Sequence, residues 1–232
     1  MPNRQKGTSK KIYIAIFLLV VLVVAAFALI YYTQEAASVM NVVPGVHVGD
    51  TFSYSLQGIC QLIGLDAVQP PGFSEYNATD HYKVTVTAVN GTSVSLDSEW
   101  KFTNGTIVTD TQTIDLSNGA QTNQNGFWAI YSSNLNQNNP LRPKGYDRLI
   151  VNSTDTKQYA DSARVRNFWS IDNSFFDTTD PTQSTWRLEH TSVYFDKQTG
   201  MLDTLTDIQE YNNPQMRLVV IWKLVSSSVW DV

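Results

Sequence analysis

Cysteine is nearly absent: Cys60 stands alone in a chain of 232 residues. A disulfide within the chain is therefore excluded, and stability has to come from a packed core. Cys60 sits in "GICQLIGL" among apolar neighbours, which reads as a buried thiol. Pairing with a second molecule or lipidation are the alternatives, although a lipoprotein-type cysteine would directly follow a signal's apolar core and this one lies far beyond it. Histidine is scarce too. His47, His81 and His190 are far apart, each without a second ligand at metal spacing, and read as surface positions. H-E-x-x-H, G-x-S-x-G and a phosphate-cradling glycine loop are all missing, so no catalytic constellation, cofactor or metal is expected. Positive charge thins out after residue 11. Residues 33–232 hold 12 Lys and Arg against 21 acids, a net charge of −9, which argues against nucleic acid and anionic lipid surfaces as partners.

What the chain does have is one long apolar run. Ile12 to Tyr32 contains no charge and is rich in Ile, Leu, Val, Ala and Phe. As a helix it would rise about 31 Å, enough to cross a bilayer core. Arg4, Lys6, Lys10 and Lys11 precede it, and Tyr31 and Tyr32 close it. That asymmetry predicts a cytoplasmic N-terminus (1–11), a transmembrane helix (12–32), a linker (33–44) and an extracellular domain (45–232). A cleaved secretory signal is the rival, because Ala26-Phe27-Ala28 has the small-x-small form of a cleavage site. A pilin-type leader processed at Lys6-Gly7 is the third reading; pilin leaders normally run straight into apolar sequence, and Thr8-Ser9-Lys10-Lys11 interrupts that here.

The stretch "TAVNGTSVSLDSEWKFTNGTIVT" writes Asn-Gly-Thr twice. Apolar residues around it fall on even numbers, from Tyr82, Val84 and Val86 to Val94, Leu96 and Trp100, with polar residues between them, the mark of strands with one buried face. Parity predicts three-residue loops. Val89-Asn90-Gly91 would set Val86 opposite Val94, and Thr103-Asn104-Gly105 would set Trp100 opposite Val108. Gly91 and Gly105 then supply the left-handed conformation such turns need. Both units are thus turns, which does not exclude sugar. With 17 Asn and 43 Ser plus Thr, chance alone supplies about three Asn-x-Ser/Thr acceptors, so the four present, at Asn77, Asn90, Asn104 and Asn152, carry no weight by number. Placement carries more: Asn90 and Asn104 sit at hairpin tips on the exported side, so glycosylation is expected there.

Elsewhere "DTFSYSL" predicts a strand with Phe52, Tyr54 and Leu56 inward. Residues 59–75 read as irregular, broken by Pro70-Pro71-Gly72. "FWAIYSSNL" places Phe127, Trp128, Ile130, Tyr131 and Leu135 at helical spacing and predicts a short helix. Strands are expected near 147–153, 156–164 and 166–171. "WRLEHTSVYF" and "MLDTLTDIQEY" read as a hairpin turned by Gly200, and "MRLVVIWKLV", apolar on both parities, as a central strand. Mainly β architecture follows: about ten antiparallel strands in a curved sheet, half-barrel or sandwich, with one or two short helices.

The order "VGDTFSY", Asn-Gly-Thr meander, short aromatic helix, Asn-x-Thr strand and "YFDKQTG" hairpin resembles uncharacterised, N-terminally anchored surface proteins of archaea over most of 45–225. The resemblance implies a cell-surface location and no particular activity. The Asp-Lys-x-Thr-Gly hairpin is also similar to those of curved half-barrel lipoprotein carriers, an analogy of fold alone. Asp97 and Glu99, beside Lys101, read as a solvated face rather than a glycosidase pair. Asp177, Asp180 and Asp196 read as turn caps rather than calcium ligands. Trp100, Trp222 and Phe52 are assigned to the core; "YFDKQTG" and "RNFWSIDNSFF" read first as core packing, with the lining of an apolar pocket or packing against the membrane or a partner as alternatives. The expectation is a non-enzymatic single-pass surface protein for interaction or envelope structure, its partners the membrane and an envelope protein. A carrier or sensor of an apolar ligand and a surface-filament subunit are the alternatives.

Overall fold

The alternating segments assemble into one antiparallel sheet in the computed structural model. It describes residues 19, 21–27, 41–124, 126–179, 181–182 and 184–232. Residues 1–41 and 42–232 form separate units. In the first, residues 19 and 21–27 are helical, with exposed apolar side chains such as Leu22 and Phe27. Most of the expected span at 12–32 lies outside the described residues, and no helix among those described is long and apolar enough to cross a membrane.

The second unit holds nine strands: β1 (Thr51–Leu62), β2 (Thr79–Asn90), β3 (Ser93–Phe102), β4 (Ile107–Asp115), β5 (Ser153–Gln158), β6 (Ala163–Phe176), β7 (Trp186–Asp196), β8 (Leu202–Asn212) and β9 (Gln215–Ser227). Their order is β4-β3-β2-β1-β9-β8-β7-β6-β5, so β4 and β5 are free edges and the sheet is not closed. The strand apolar on both parities, β9, lies fifth of nine, as expected. Its neighbours Leu218 and Val219 face opposite ways and are both buried.

Parity survives in the β2–β3 hairpin, but the register differs from the three-residue loop read in the sequence. Asn90 pairs with Ser93, leaving Gly91-Thr92 as the turn, and a bulge between Val86 and Ala88 absorbs one residue. Beyond it Val86 meets Leu96 and Tyr82 meets Trp100. With the bulge in place Tyr82, Val84 and Val86 share the buried face with Val94 and Leu96, which is what the hydrophobic pattern demands. At the second hairpin the expected register is found: Trp100 pairs with Val108 and Val94 with Ile114. Gly91, Gly105 and Gly200 all have positive φ, at 59°, 86° and 77°.

Three further expectations change. Strand β1 runs on to Leu62, where irregular chain was expected, because Gly58 to Leu62 pair with Val220 to Met216 of β9. The short helix read at 127–135 is absent. Phe127, Ala129, Ile130, Tyr131, Leu135 and the serines between them are buried in an irregular segment whose backbone bonds to other segments: Tyr131 N–H to Gly200 carbonyl (3.0 Å) and Ser133 N–H to Val43 carbonyl (2.8 Å). A helix would have satisfied those groups internally and buried one side alone. Finally, 147–152 holds a lone bridge from Ile150 to Pro140 instead of a strand, giving nine strands rather than about ten. The helical element found among the described residues of this unit is a 3₁₀ turn, Phe73–Tyr76.

Candidate functional site

Cross-strand pairing carries one face through the sheet. Tyr82 and Trp100 lie on it, with Leu56 opposite Trp222, Trp222 opposite Leu205, and Leu205 opposite Val193. At one end the irregular 127–135 segment packs down on this face: the Phe127 ring lies 5.5 Å from Tyr54, and Tyr131 lies 4.5 Å from Phe195. The 3₁₀ turn covers another part, with Tyr76 beside Trp100 at 6.2 Å. Between these covers remains a cleft of about 670 Å³. Six aromatic side chains line it: Tyr76, Tyr82, Trp100, Phe127, Trp128 and Trp222. They hold one another in place, Tyr82 meeting Trp222 edge-on at 4.8 Å while the Trp100 indole N–H donates to the Thr79 hydroxyl at 2.8 Å.

The rest of the lining is apolar and neutral polar apart from three acids. Asp110 of β4, Glu189 of β7 and Asp207 of β8 line the cleft, and among the described residues no Lys or Arg does. The Asp207 carboxylate accepts from the Thr191 hydroxyl (2.9 Å) and the Gln209 amide (2.7 Å), both neutral. Asp110 likewise accepts from the Thr111 backbone N–H (2.8 Å) and from the Asn123 amide. Glu189 pairs with Arg187 at 2.9 Å. Burial, and next the charge of Asp207, still hold the Glu189 carboxyl above its ordinary value against the pull of Arg187. Burial, then Asp207 and Glu75, push the Tyr76 hydroxyl up as well. The cleft is thus an aromatic box under a negative field.

A separate polar cluster is structural. The Asp203 carboxylate, fully buried, receives Lys157 Nζ at 2.8 Å, Arg166 at 2.6 Å and the Tyr159 hydroxyl at 2.5 Å. These bonds outweigh the burial that pushes its carboxyl up and leave it below its ordinary value. Arg164 binds Asp196 through two nitrogens, at 2.8 and 2.9 Å, and lies 4.1 Å from the centre of the Trp230 ring.

The residues singled out in the sequence are scattered. Asn90, Asn104 and Asn152 are exposed. The Asn104 side-chain oxygen accepts from Thr106 N–H (2.9 Å), and that of Asn152 from Ser170 N–H (2.8 Å). Asn77 is different, because its amide binds the backbone of Gly58 both ways, accepting at 2.9 Å and donating at 2.7 Å. His81 lies between Asp80 and Glu99, and His190 against Asp172. No group of three or more His, Cys, Asp or Glu among the described residues could hold a metal. Glu99 turns to His81 while Lys101 pairs with Asp80 at 3.0 Å. Asp177 and Asp196 cap Thr179 and Thr199, whereas Asp180 lies outside the described residues. Cys60 is half-buried rather than buried.

Phe52 is core, but Trp100 and Trp222 are half-buried because they face the cleft. The segments thought able to line a pocket do not line this one: Trp169 and Phe195 are core, and Phe175 and Phe176 are exposed. The aromatic pairing of Tyr76 and Phe127 with the sheet, and the acids Glu189 and Asp207, escaped the sequence reading. No protein-family model matches the chain, and no curated protein matches it at a significant level.

Proposed function

We propose that the chain is a non-enzymatic, single-pass cell-surface protein. Residues 12–32 hold it in the membrane with the N-terminus in the cytoplasm, and the β-rich domain takes a small ligand with an apolar body into the concave face of its sheet. The observation that carries this reading is the cleft. Its volume suits a drug-sized ligand, and its walls have the usual composition of such sites, aromatic with a few convergent polar groups. Curvature follows from the same lining. Val108 of β4 and Glu189 of β7 are six strand spacings apart, about 29 Å across a flat sheet, yet they line one cavity whose volume is that of a sphere about 11 Å across. A sheet curled like a half-barrel reconciles the two. Between envelope structure and carriage or sensing of a ligand, the cleft favours the latter. Glycans at Asn90 and Asn104 fit the exposed hairpin tips, and the resemblance to anchored archaeal surface proteins supports the location.

Two experiments test the reading. Protease added to intact cells should remove the 45–232 domain; a protected domain would overturn the topology. For the cleft, the full chain in lipid nanodiscs is titrated with 3,3-dimethylbutan-1-ol while tryptophan emission is followed against empty nanodiscs. A saturable shift is expected, and Val220→Trp, which fills the cleft, should abolish it. A wild-type chain without a saturable response would overturn ligand binding.

A further inference from the structure

The acid-bearing lining says more than that something apolar fits. Two of its three carboxylates, Asp110 and Asp207, are met by neutral donors alone, from Thr111, Asn123, Thr191 and Gln209. The third, Glu189, shares its charge with Arg187, which stacks outward over Phe175 at 4.4 Å. Neutral hydrogen bonds orient a carboxylate without cancelling its charge, so the field inside the cleft stays negative. The indoles of Trp100, Trp128 and Trp222 line the same cleft. Indole faces attract cations, and more strongly where water is displaced. An anionic ligand would meet carboxylates with no lysine or arginine among the described residues that line the cleft. A neutral one would leave the two uncompensated charges unpaired and partly desolvated.

Resting on the reading of the cleft as a binding site, we infer that its ligand is a small organic cation: an alkylammonium whose apolar body lies against the tryptophans and whose charged nitrogen faces Asp207 and Glu189.

A matched set of probes separates charge from shape. Choline is the cationic counterpart of 3,3-dimethylbutan-1-ol, and 3,3-dimethylbutanoate is an anionic one. Titrated into the full chain in nanodiscs, choline is expected to bind at least tenfold more tightly than the alcohol and the anion more weakly than either. Asp207→Asn and Glu189→Gln, each keeping the shape of the side chain, should bring choline to within about threefold of the alcohol measured on the same variant. Added salt should weaken choline and leave the alcohol unchanged. If the alcohol binds and choline does no better, or if the anion binds best, the cation inference is overturned while the cleft remains a binding site. If none of the three binds, the binding-site reading fails and takes this inference with it. A variant that unfolds is replaced by the salt series on the wild type, where equal salt sensitivity of alcohol and choline counts against the proposal.

Discussion

A methyl group on Gly200 would stand 2.0 Å from the carbonyl oxygen of Tyr131. That contact locks the β7–β8 turn beneath the 127–135 segment, with Tyr131 N–H bonded back to the Gly200 carbonyl. Gly200 also has a φ of 77°, which costs an L-residue about 1–2 kcal/mol by itself. Gly91, with a φ of 59°, has open space where its side chain would go. Gly200→Ala is therefore expected to lose about 3 kcal/mol or more and Gly91→Ala about 1–2 kcal/mol in urea denaturation. Equal losses would show that the close approach does not matter.

Asn77 completes a strand edge. β1 pairs with β2 over Thr51–Tyr54 and then leaves it, and the Asn77 amide bonds the Gly58 N–H and carbonyl on the far side from β9. Asn77→Ala strips both groups of their partner, at about 1–3 kcal/mol. Thr79→Val removes the glycosylation signal while keeping Asn77, so loss of stability in the first variant alone would identify the hydrogen bonds as the cause. A loss in the second points to the Trp100–Thr79 bond instead.

Two carboxylates, the buried Asp203 and the half-buried Glu189, should respond to pH with opposite sign. Asp203 sits below its ordinary value, so its contribution is present above the unfolded value near pH ~4 and lost as pH falls through the lower folded value. Glu189 sits above its ordinary value. The folded state holds its proton more tightly, which favours folding at low pH and is lost as pH rises through the raised value. Asp203→Ala is expected to cost about 3–5 kcal/mol at pH 7 and to narrow its gap to wild type below pH 3. Glu189→Gln should gain on wild type between pH 4 and pH 7. Denaturation midpoints across pH check both, and parallel profiles for the two variants would refute the assignment.

Peptide mapping of the chain from a host that glycosylates exported proteins should find glycan at Asn90 or Asn104, at the hairpin tips. Asn77, engaged with Gly58, is expected to be bare. Glycan confined to Asn77 would contradict that role for its amide.

How much of this was legible in the sequence depended on what kind of force placed each element. Strands set by alternation were readable: the meander, the β7–β8 hairpin and the central position of β9 all follow from where apolar residues recur. The β2–β3 register missed by two residues because a bulge at Val86–Ala88 preserves parity while shifting partners, and parity was the signal in use. The 127–135 segment misled because burial by a sheet and its neighbouring loops can imitate helical spacing over a few residues. The cleft does leave a signal in the sequence. Glu189, Thr191, Asp207 and Gln209 occupy inward positions of β7 and β8, in line with Val193 and Leu205. Polar residues on the buried parity of neighbouring strands mark a face that the core does not fill.

The pairing of β1 with β9 bears on how such a domain is made. Thr51 and Ser228, bonded at that seam, are 177 positions apart. The middle of the sheet therefore has to wait for nearly the whole polypeptide, while its flanking hairpins can form as they emerge. Before β9 arrives the half-finished molecule would present two meanders with bare inner edges, so its hazard is mispairing between copies, and the last segment to arrive is the one that joins them and supplies Trp222.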